Sequence, residues 1–273
     1  MSLRFSANLS MLFTEVPFVD RFAAAREAGF AAVEFWWPRD EDLDAVVRAV
    51  EGAGLEVALF NFDAGDMRAG DRGVLSDPVR QDEFRANVPV ALELAAALGC
   101  PRLNALVGLE LPGVGRAAQL ELARENVRWA ADQAAGRGIE VLIEAVNTFE
   151  NGLYLLSSTP AAAEFVRGVA RPNVRLQYDA YHMQRMEGNL VATLAEHLGE
   201  IGHVQIADSP DRGQPGTGEI NFAFVLERLE ALGYDGFVGL EYRPLGVDTW
   251  GSLEWFLEVG ALDAPSQSPT GRS

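Results

Sequence analysis

The strongest constraint on the fold is a repeated pattern of side-chain character. Short apolar runs rich in Val, Ile, Leu and Phe alternate along the chain with longer stretches of helical periodicity. Eight such runs stand out: Arg4 to Asn8, Ala32 to Trp37, Glu56 to Phe62, Arg102 to Gly108, Ile139 to Asn147, Val174 to His182, Ile201 to Asp208 and Phe237 to Tyr242. The intervening stretches predict helices over Pro17 to Ala28, Asp42 to Ala53, Asp82 to Leu98, Ala117 to Arg137, Thr159 to Val169, Leu190 to Leu198, Phe222 to Leu232 and Thr249 to Val259. Glycines such as Gly54, Gly99 and Gly233 follow several of them, where a helix closes in a left-handed turn. Eight strand–helix units in a chain of this length are the arithmetic of a single (β/α)8 TIM barrel, of the α/β class. A doubly wound sheet fits a weaker version of the same count. Against it, the first run lacks a Gly-x-Gly-x-x-Gly turn, since Asn8 is followed by LSMLF. No linker divides the chain, so one barrel is expected over residues 1–260, with a disordered tail over residues 261–273.

Composition narrows the function classes. The chain has 22 Lys+Arg against 40 Asp+Glu, a formal net charge of -18. An acidic excess of that size disfavours phosphate backbones and anionic membrane surfaces, so neither nucleic acid nor membrane is an expected partner. Every basic residue is arginine, which removes Schiff-base and Walker-type lysine chemistry. The single cysteine, Cys100, forms no intrachain disulfide and reads as a small buried side chain between a helix and a strand. With no apolar span and no leader-like start, a soluble, cytoplasmic protein is expected. The oligomeric state is left open, a homo-oligomer included.

Four polar residues interrupt runs that otherwise suit buried parallel strands. Glu144 lies in IEVLIEAVN, Asp179 in VRLQYDAYH, Gln205 in IGHVQIAD and Glu241 in FVGLEYRP. Each falls in the C-terminal half of its run, and strand alternation places Glu144 with Leu142, Asp179 with Gln177, Gln205 with His203, and Glu241 with Gly239. In a barrel, four consecutive strands then offer three carboxylates and an amide to one point at the top mouth. Carboxylates crowded into a low-dielectric mouth must take up protons or enclose a cation. An oxygen-only ligand set of Glu144, Asp179, Gln205 and Glu241 suits Mg²⁺ or Mn²⁺ better than zinc. A small substrate bearing a ketone and an adjacent hydroxyl would have its C–H acidified there, with Glu144 and Glu241 as the proton-transfer pair.

At these residues the chain resembles the hydroxypyruvate isomerases of the xylose-isomerase-like barrel superfamily. The likeness runs from RFSANLSMLF (residues 4–13) through AGDMRAGDRG (64–73), LNALVG (103–108) and YDAYHMQRMEG (178–188) to GHVQIADSPDRGQPGTGEIN (202–221) and GLEYRP (239–244). The resemblance implies a metal on the four residues named above and interconversion of hydroxypyruvate and tartronate semialdehyde through an enediolate. Enzymes acting on four-carbon 2-oxo acids (2-oxo-tetronate) share these motifs, whereas related ketose 3-epimerases usually have histidine where this chain has Gln205. A barrel that binds a metal or sugar acid without catalysis is the alternative from another class. A nuclease is disfavoured by the charge and by a total of three histidines.

Similar barrels use a histidine at the His182 position to hydrogen-bond a substrate oxygen, and His182 is assigned that role. His203 reads as a buried supporting residue and His197 as a solvated one. Two long connections, Asp63 to Gln81 and Ser209 to Asn221, carry Arg68, Arg72 and Arg212, the candidates for binding the carboxylate of a small hydroxy-oxo acid. Arg212, inside RGQPGTGE, is the first choice. Glu150 and Asn104 are further mouth candidates, and Trp36 and Trp37 are expected in the core.

Overall fold

Each of the eight apolar runs forms a strand. In the computed structural model, which describes residues 3–258, these are β1 Arg4–Asn8, β2 Ala32–Phe35, β3 Glu56–Asn61, β4 Arg102–Asn104, β5 Glu140–Glu144, β6 Val174–Asp179, β7 Ile201–Ile206 and β8 Phe237–Leu240. They pair in parallel in chain order, and β8 closes on β1, with Ser6 opposite Gly239. The helices are α1 Arg21–Glu27, α2 Leu43–Ala53, α3 Gln81–Leu98, α4 Arg116–Ala135, α5 Thr148–Asn151, α6 Thr159–Val169, α7 Ala180–Met186, α8 Leu190–His197, α9 Phe222–Ala231, α10 Thr249–Ser252 and α11 Glu254–Glu258. Their buried faces, with Val46 and Val50 of α2 or Phe84, Val88 and Leu92 of α3, pack on the outward side chains of the strands. No helix among the described residues is long and apolar enough to cross a membrane. The tail expected over residues 261–273 lies outside the described residues.

Several differences from expectation lie at the C-terminal ends of the strands. The run Arg102 to Gly108 pairs only as far as Asn104, and the rest leads the chain across the mouth. The run Val174 to His182 stops at Asp179, whose Oδ1 accepts the Tyr181 N–H at 2.8 Å and so caps α7. His182 therefore stands in the first turn of a helix that periodicity did not reveal. Asn147 caps the still shorter α5 in the same way, accepting the Glu150 N–H. The helix expected over Thr249 to Val259 divides at Leu253, where Ser252 Oγ donates to the Thr249 carbonyl and competes with the helical ladder. His197, expected in solvent, is buried, with Nδ1 2.9 Å from Glu200 Oε2. Cys100 is buried between α3 and β4, as read from the sequence.

Candidate active site

The barrel interior holds an acid that sequence reading passed over. Glu34, central in β2, is fully buried; it accepts hydrogen bonds from Ser6 Oγ (2.8 Å), Asn8 Nδ2 (3.2 Å) and Gln205 Nε2 (2.6 Å), and pairs with His203 Nε2 (2.7 Å). Burial alone would push its carboxyl up, but the His203 charge and these hydrogen bonds together hold it below the usual range. Gly239 makes room for it, since a Cβ there would lie 2.3 Å from Glu34 Oε2. A charged residue inside an apolar run was as visible in AVEFWW as Glu144 was in its own strand. That signal would have found it.

Above this layer stand the mouth residues. Gln205 donates to Glu34 and accepts from Gln177 Nε2 at 2.6 Å, so its amide is held by a partner on each side. Glu144, Asp179 and Glu241 are all buried. Burial raises the Glu144 carboxyl well above its ordinary value, with Glu241 and Asp179 adding to the effect. Burial also raises Asp179, and pushes Glu241 up to about 7 against the opposing pull of Arg212. Asn104 donates to Glu144 Oε2 at 2.8 Å, and Trp36 Nε1 donates to Glu241 Oε1 at 2.6 Å. Trp36 thus lines the mouth, because an indole N–H needs a partner that the apolar core does not supply. Trp37 packs against the core beside Phe60, as expected.

Ligand-type atoms of Glu144, Asp179 and His182 lie within 4.8 Å of one another. Asp179 Oδ2 is buried without a hydrogen-bond partner. Crowded carboxylates with raised proton affinity and one orphaned oxygen are what a site shaped for a cation presents. Glu241 faces the same space across Arg212, whose Nη2 is 3.2 Å from Glu241 Oε2 and 3.5 Å from Asp179 Oδ2.

His182 Nε2 sits 3.6 Å from Asp179 Oδ2 and 3.8 Å from Glu144 Oε1, and burial, then Arg212 and Arg185, hold the ring well below its ordinary value. It is neutral. Asn147 Oδ1 accepts the Glu150 N–H, which turns Asn147 Nδ2 toward His182 Nδ1 at 2.7 Å. An amide nitrogen can only donate, so Nδ1 is the acceptor and Nε2 carries the hydrogen into the cavity. Glu150 accepts from the Tyr181 hydroxyl, and Arg212 stacks over the Tyr181 ring at 5.2 Å.

The structure brings Trp36, Arg72, Glu144, Gln177, His182, Gln205, Arg212 and Glu241 around one cavity. Arg68 is elsewhere: its side chain is 93% exposed, 4.0 Å from Asp40, on an outer groove that meets the cavity at Trp36, Asn61 and Met67. Asn147 and Tyr181 escaped sequence reading because polar residues just past a strand end carry no periodic signal; Gln177 was placed on the Asp179 face of β6 but given no role.

This geometry agrees with comparison to known proteins. A family model described as xylose isomerase-like TIM barrel matches residues 22–259. The chain belongs to that family. It is 43% identical over 253 residues to the hydroxypyruvate isomerase of Escherichia coli (strain K12), covering 93% of this chain and 98% of that one. It is 40% identical over 253 residues to a 2-oxo-tetronate isomerase of Haemophilus influenzae, with the same coverage. A crystal structure titled AP endonuclease, family 2, from Brucella melitensis superposes with a TM-score of 0.90 at 44% identity, covering 96% of this chain and 100% of that one. Membership in the xylose isomerase-like family accounts for a mouth built from strand ends, and the full-length relatives named as isomerases place the chain among isomerases.

Proposed function

We propose that the protein is a divalent-metal-dependent isomerase that interconverts hydroxypyruvate and tartronate semialdehyde. The observation that carries this reading is that Glu144 and Glu241 line one cavity with buried Asp179 beside them, all three with their proton affinities raised. Glu144, Asp179, Gln205 and Glu241 would hold Mg²⁺ or Mn²⁺; the oxygen-only set and the orphaned Asp179 Oδ2 fit such an ion. When bound, the ion supplies the positive charge that stabilises an enediolate.

The protein's own groups then move protons. One of Glu144 and Glu241 takes the proton from C3 of hydroxypyruvate, and the C–H electron pair becomes the C2–C3 double bond. The other returns a proton to C2, while the hydroxyl proton passes from O3 to O2, leaving an aldehyde at C3 and a hydroxyl at C2. Without metal, burial pushes Glu241 up to about 7; beside a bound cation it stays ionised, the form that accepts a proton. The His182 Nε2–H and the Arg212 guanidinium are donors for substrate oxygens at C2 and C3.

A panel of three- and four-carbon oxo acids, assayed with chelator and then with added Mg²⁺ or Mn²⁺, tests the reading. Turnover of hydroxypyruvate that vanishes with chelator and returns with the ion is expected, together with solvent deuterium at C2 of the product. Deuterium placed at C3 of hydroxypyruvate and carried to C2 at full activity, with none taken up from solvent, would replace proton transfer by a hydride shift.

The four-carbon substrate is the second reading. It is favoured by the groove of about 410 Å³ that adjoins the cavity and leaves room for an extra hydroxymethyl group. Negligible turnover of hydroxypyruvate beside efficient turnover of the four-carbon acid would establish it. A nuclease reading finds no nitrogen cluster, because His203 is committed to Glu34 and His197 to Glu200, away from the mouth.

A further inference from the structure

We propose that Arg72 is the residue that binds the substrate's carboxylate and makes the site selective for oxo acids over neutral sugars. The proposal rests on the isomerase reading and assigns one end of its substrate. Three arginines are near enough to be considered, and their surroundings separate them. Arg212 is already neutralised by Asp179 and Glu241, and Arg68 points into solvent beside Asp40. Arg72 lines the cavity and has no carboxylate within ion-pair distance among the described residues.

Its guanidinium is nevertheless fixed. Nε donates to Asn151 Oδ1 at 2.7 Å, and Nη1 donates to the carbonyl oxygens of Met67 (3.1 Å) and Asp71 (2.7 Å). All three acceptors are neutral, and both Nη1 hydrogens are used, so the charge stays uncompensated and Nη2 is the nitrogen left to meet an anion. The loop that carries Arg72 is tied down on both sides. Asp71 accepts the Asp66 N–H at 2.7 Å and pairs with Arg80 at 2.8 Å. The neighbouring Gly73, at φ +104°, donates to the Ala64 carbonyl and passes so close to β4's continuation that a Cβ would lie 1.9 Å from Leu106 O.

A half-buried guanidinium fixed by neutral acceptors keeps its full positive charge at the cavity wall, where an anion can pair with it. The reacting C2 and C3 oxygens belong beside Glu144, His182 and Glu241. The C1 carboxylate of a small 2-oxo acid then extends toward Arg72, and a neutral ketose has nothing to place there. Asn151 acts through Arg72 as a positioning residue.

The test uses the full chain and two matched pairs. Hydroxypyruvate and dihydroxyacetone differ only in carboxylate against hydroxymethyl and undergo the same proton transfer. Glycerate and glycerol repeat that comparison without reaction. In Arg72→Gln, kcat/KM for hydroxypyruvate should fall about 100-fold, mainly through KM, the scale of one charge-assisted interaction. Turnover of dihydroxyacetone should stay within threefold. By calorimetry with Mg²⁺ present, glycerate should bind at least tenfold more weakly to the variant, with glycerol unaffected. Arg72→Lys should recover part of the loss. Asn151→Ala should weaken glycerate about threefold, and carries the test if Arg72→Gln fails to fold.

Equal losses for charged and neutral partners, or unchanged glycerate binding, would overturn the assignment. Hydroxypyruvate turnover that survives Arg72→Gln sinks the clamp and leaves the isomerase reading standing. Glycerate held through Arg72 by a protein that leaves every oxo acid unreacted does the reverse.

Discussion

Glu34 and Gln205 lie 171 positions apart and meet through a 2.6 Å hydrogen bond inside the barrel, directly under the mouth carboxylates. The same carboxylate binds His203 Nε2, so one buried charge orients both inward side chains of β7. Glu34→Ala leaves His203 Nε2 and Gln205 Nε2 without their shared buried partner, and should destabilise the protein by about 3–5 kcal/mol in urea unfolding. Glu34→Gln should cost less, because the amide keeps an acceptor for Gln205. A loss under 1 kcal/mol in Glu34→Ala would mean that the layer relaxes freely and fixes nothing above it.

The mouth carboxylates act on stability with the opposite sign. Glu34, held below the ordinary range, contributes stability that is present at neutral pH and is lost as pH falls through its folded value. Glu241, pushed up to about 7, binds its proton more tightly folded than unfolded. Stability without metal should therefore fall as pH rises from the ordinary carboxylate range toward about 7, and level off above it, by about 3 kcal/mol from this group alone. Thermal melts between pH 5 and 8 with chelator should show that decline, and Glu241→Gln should flatten it. Added Mg²⁺ or Mn²⁺ should raise Tm more at pH 8 than at pH 5, since the ionised carboxylates are the form that binds a cation.

Much of this was legible in the chain. Eightfold alternation predicted the closed barrel, and a carboxylate out of place in an apolar run marked Glu144, Asp179 and Glu241, because burial makes charge conspicuous. The structure added what depends on approach between distant residues. Arg68 and Arg72 sit four positions apart in one motif, yet one points to solvent and the other into the cavity, a difference decided by where the loop folds back on Leu106. The tautomer of His182 depends on Asn147, and the partner of Trp36 is Glu241, 205 positions away. Local periodicity does not encode such pairings.

Trp36→Phe isolates one of them. The indole N–H lowers the Glu241 proton affinity by bonding its anion, so its removal should raise that affinity further. Activity should fall, and in the metal-free protein the decline of Tm with rising pH should move to higher pH. A decline that keeps its midpoint in Trp36→Phe would show that another group sets it.

The loop after β7 is organised by Asp208. Its carboxylate accepts the backbone N–H groups of Ser209 (2.9 Å), Gly216 (2.9 Å), Gly218 (2.8 Å) and Ile220 (3.0 Å), closing the segment that presents Arg212 at a left-handed φ of 57°. Asp208→Ala leaves four donors to find new partners and should cost about 3 kcal/mol in stability. The larger effect should be on turnover, because Arg212 loses its fixed position. Limited proteolysis should cut within residues 209–220 in the variant and spare the native loop. Resistance equal to that of the native protein would show that the loop holds without its carboxylate.

Cys100 reports on the barrel as a whole. It is 2% exposed, its Sγ lies 3.2 Å from the Arg102 carbonyl oxygen, and burial pushes its thiol up to about 12. Thiolate is the reactive form, so at pH 8 the native protein should leave a thiol-specific reagent almost untouched, while urea-unfolded chain reacts at once. The sulfur sits between α3 and β4, in the wall of the barrel, and becomes accessible only when that wall opens. Its slow native labelling should therefore accelerate in parallel with the loss of stability in Glu34→Ala, measured in dilute urea. Labelling that is fast in the native protein and indifferent to Glu34 would place the opening at α3 alone, and would uncouple the outer helix from the polar layer inside the barrel.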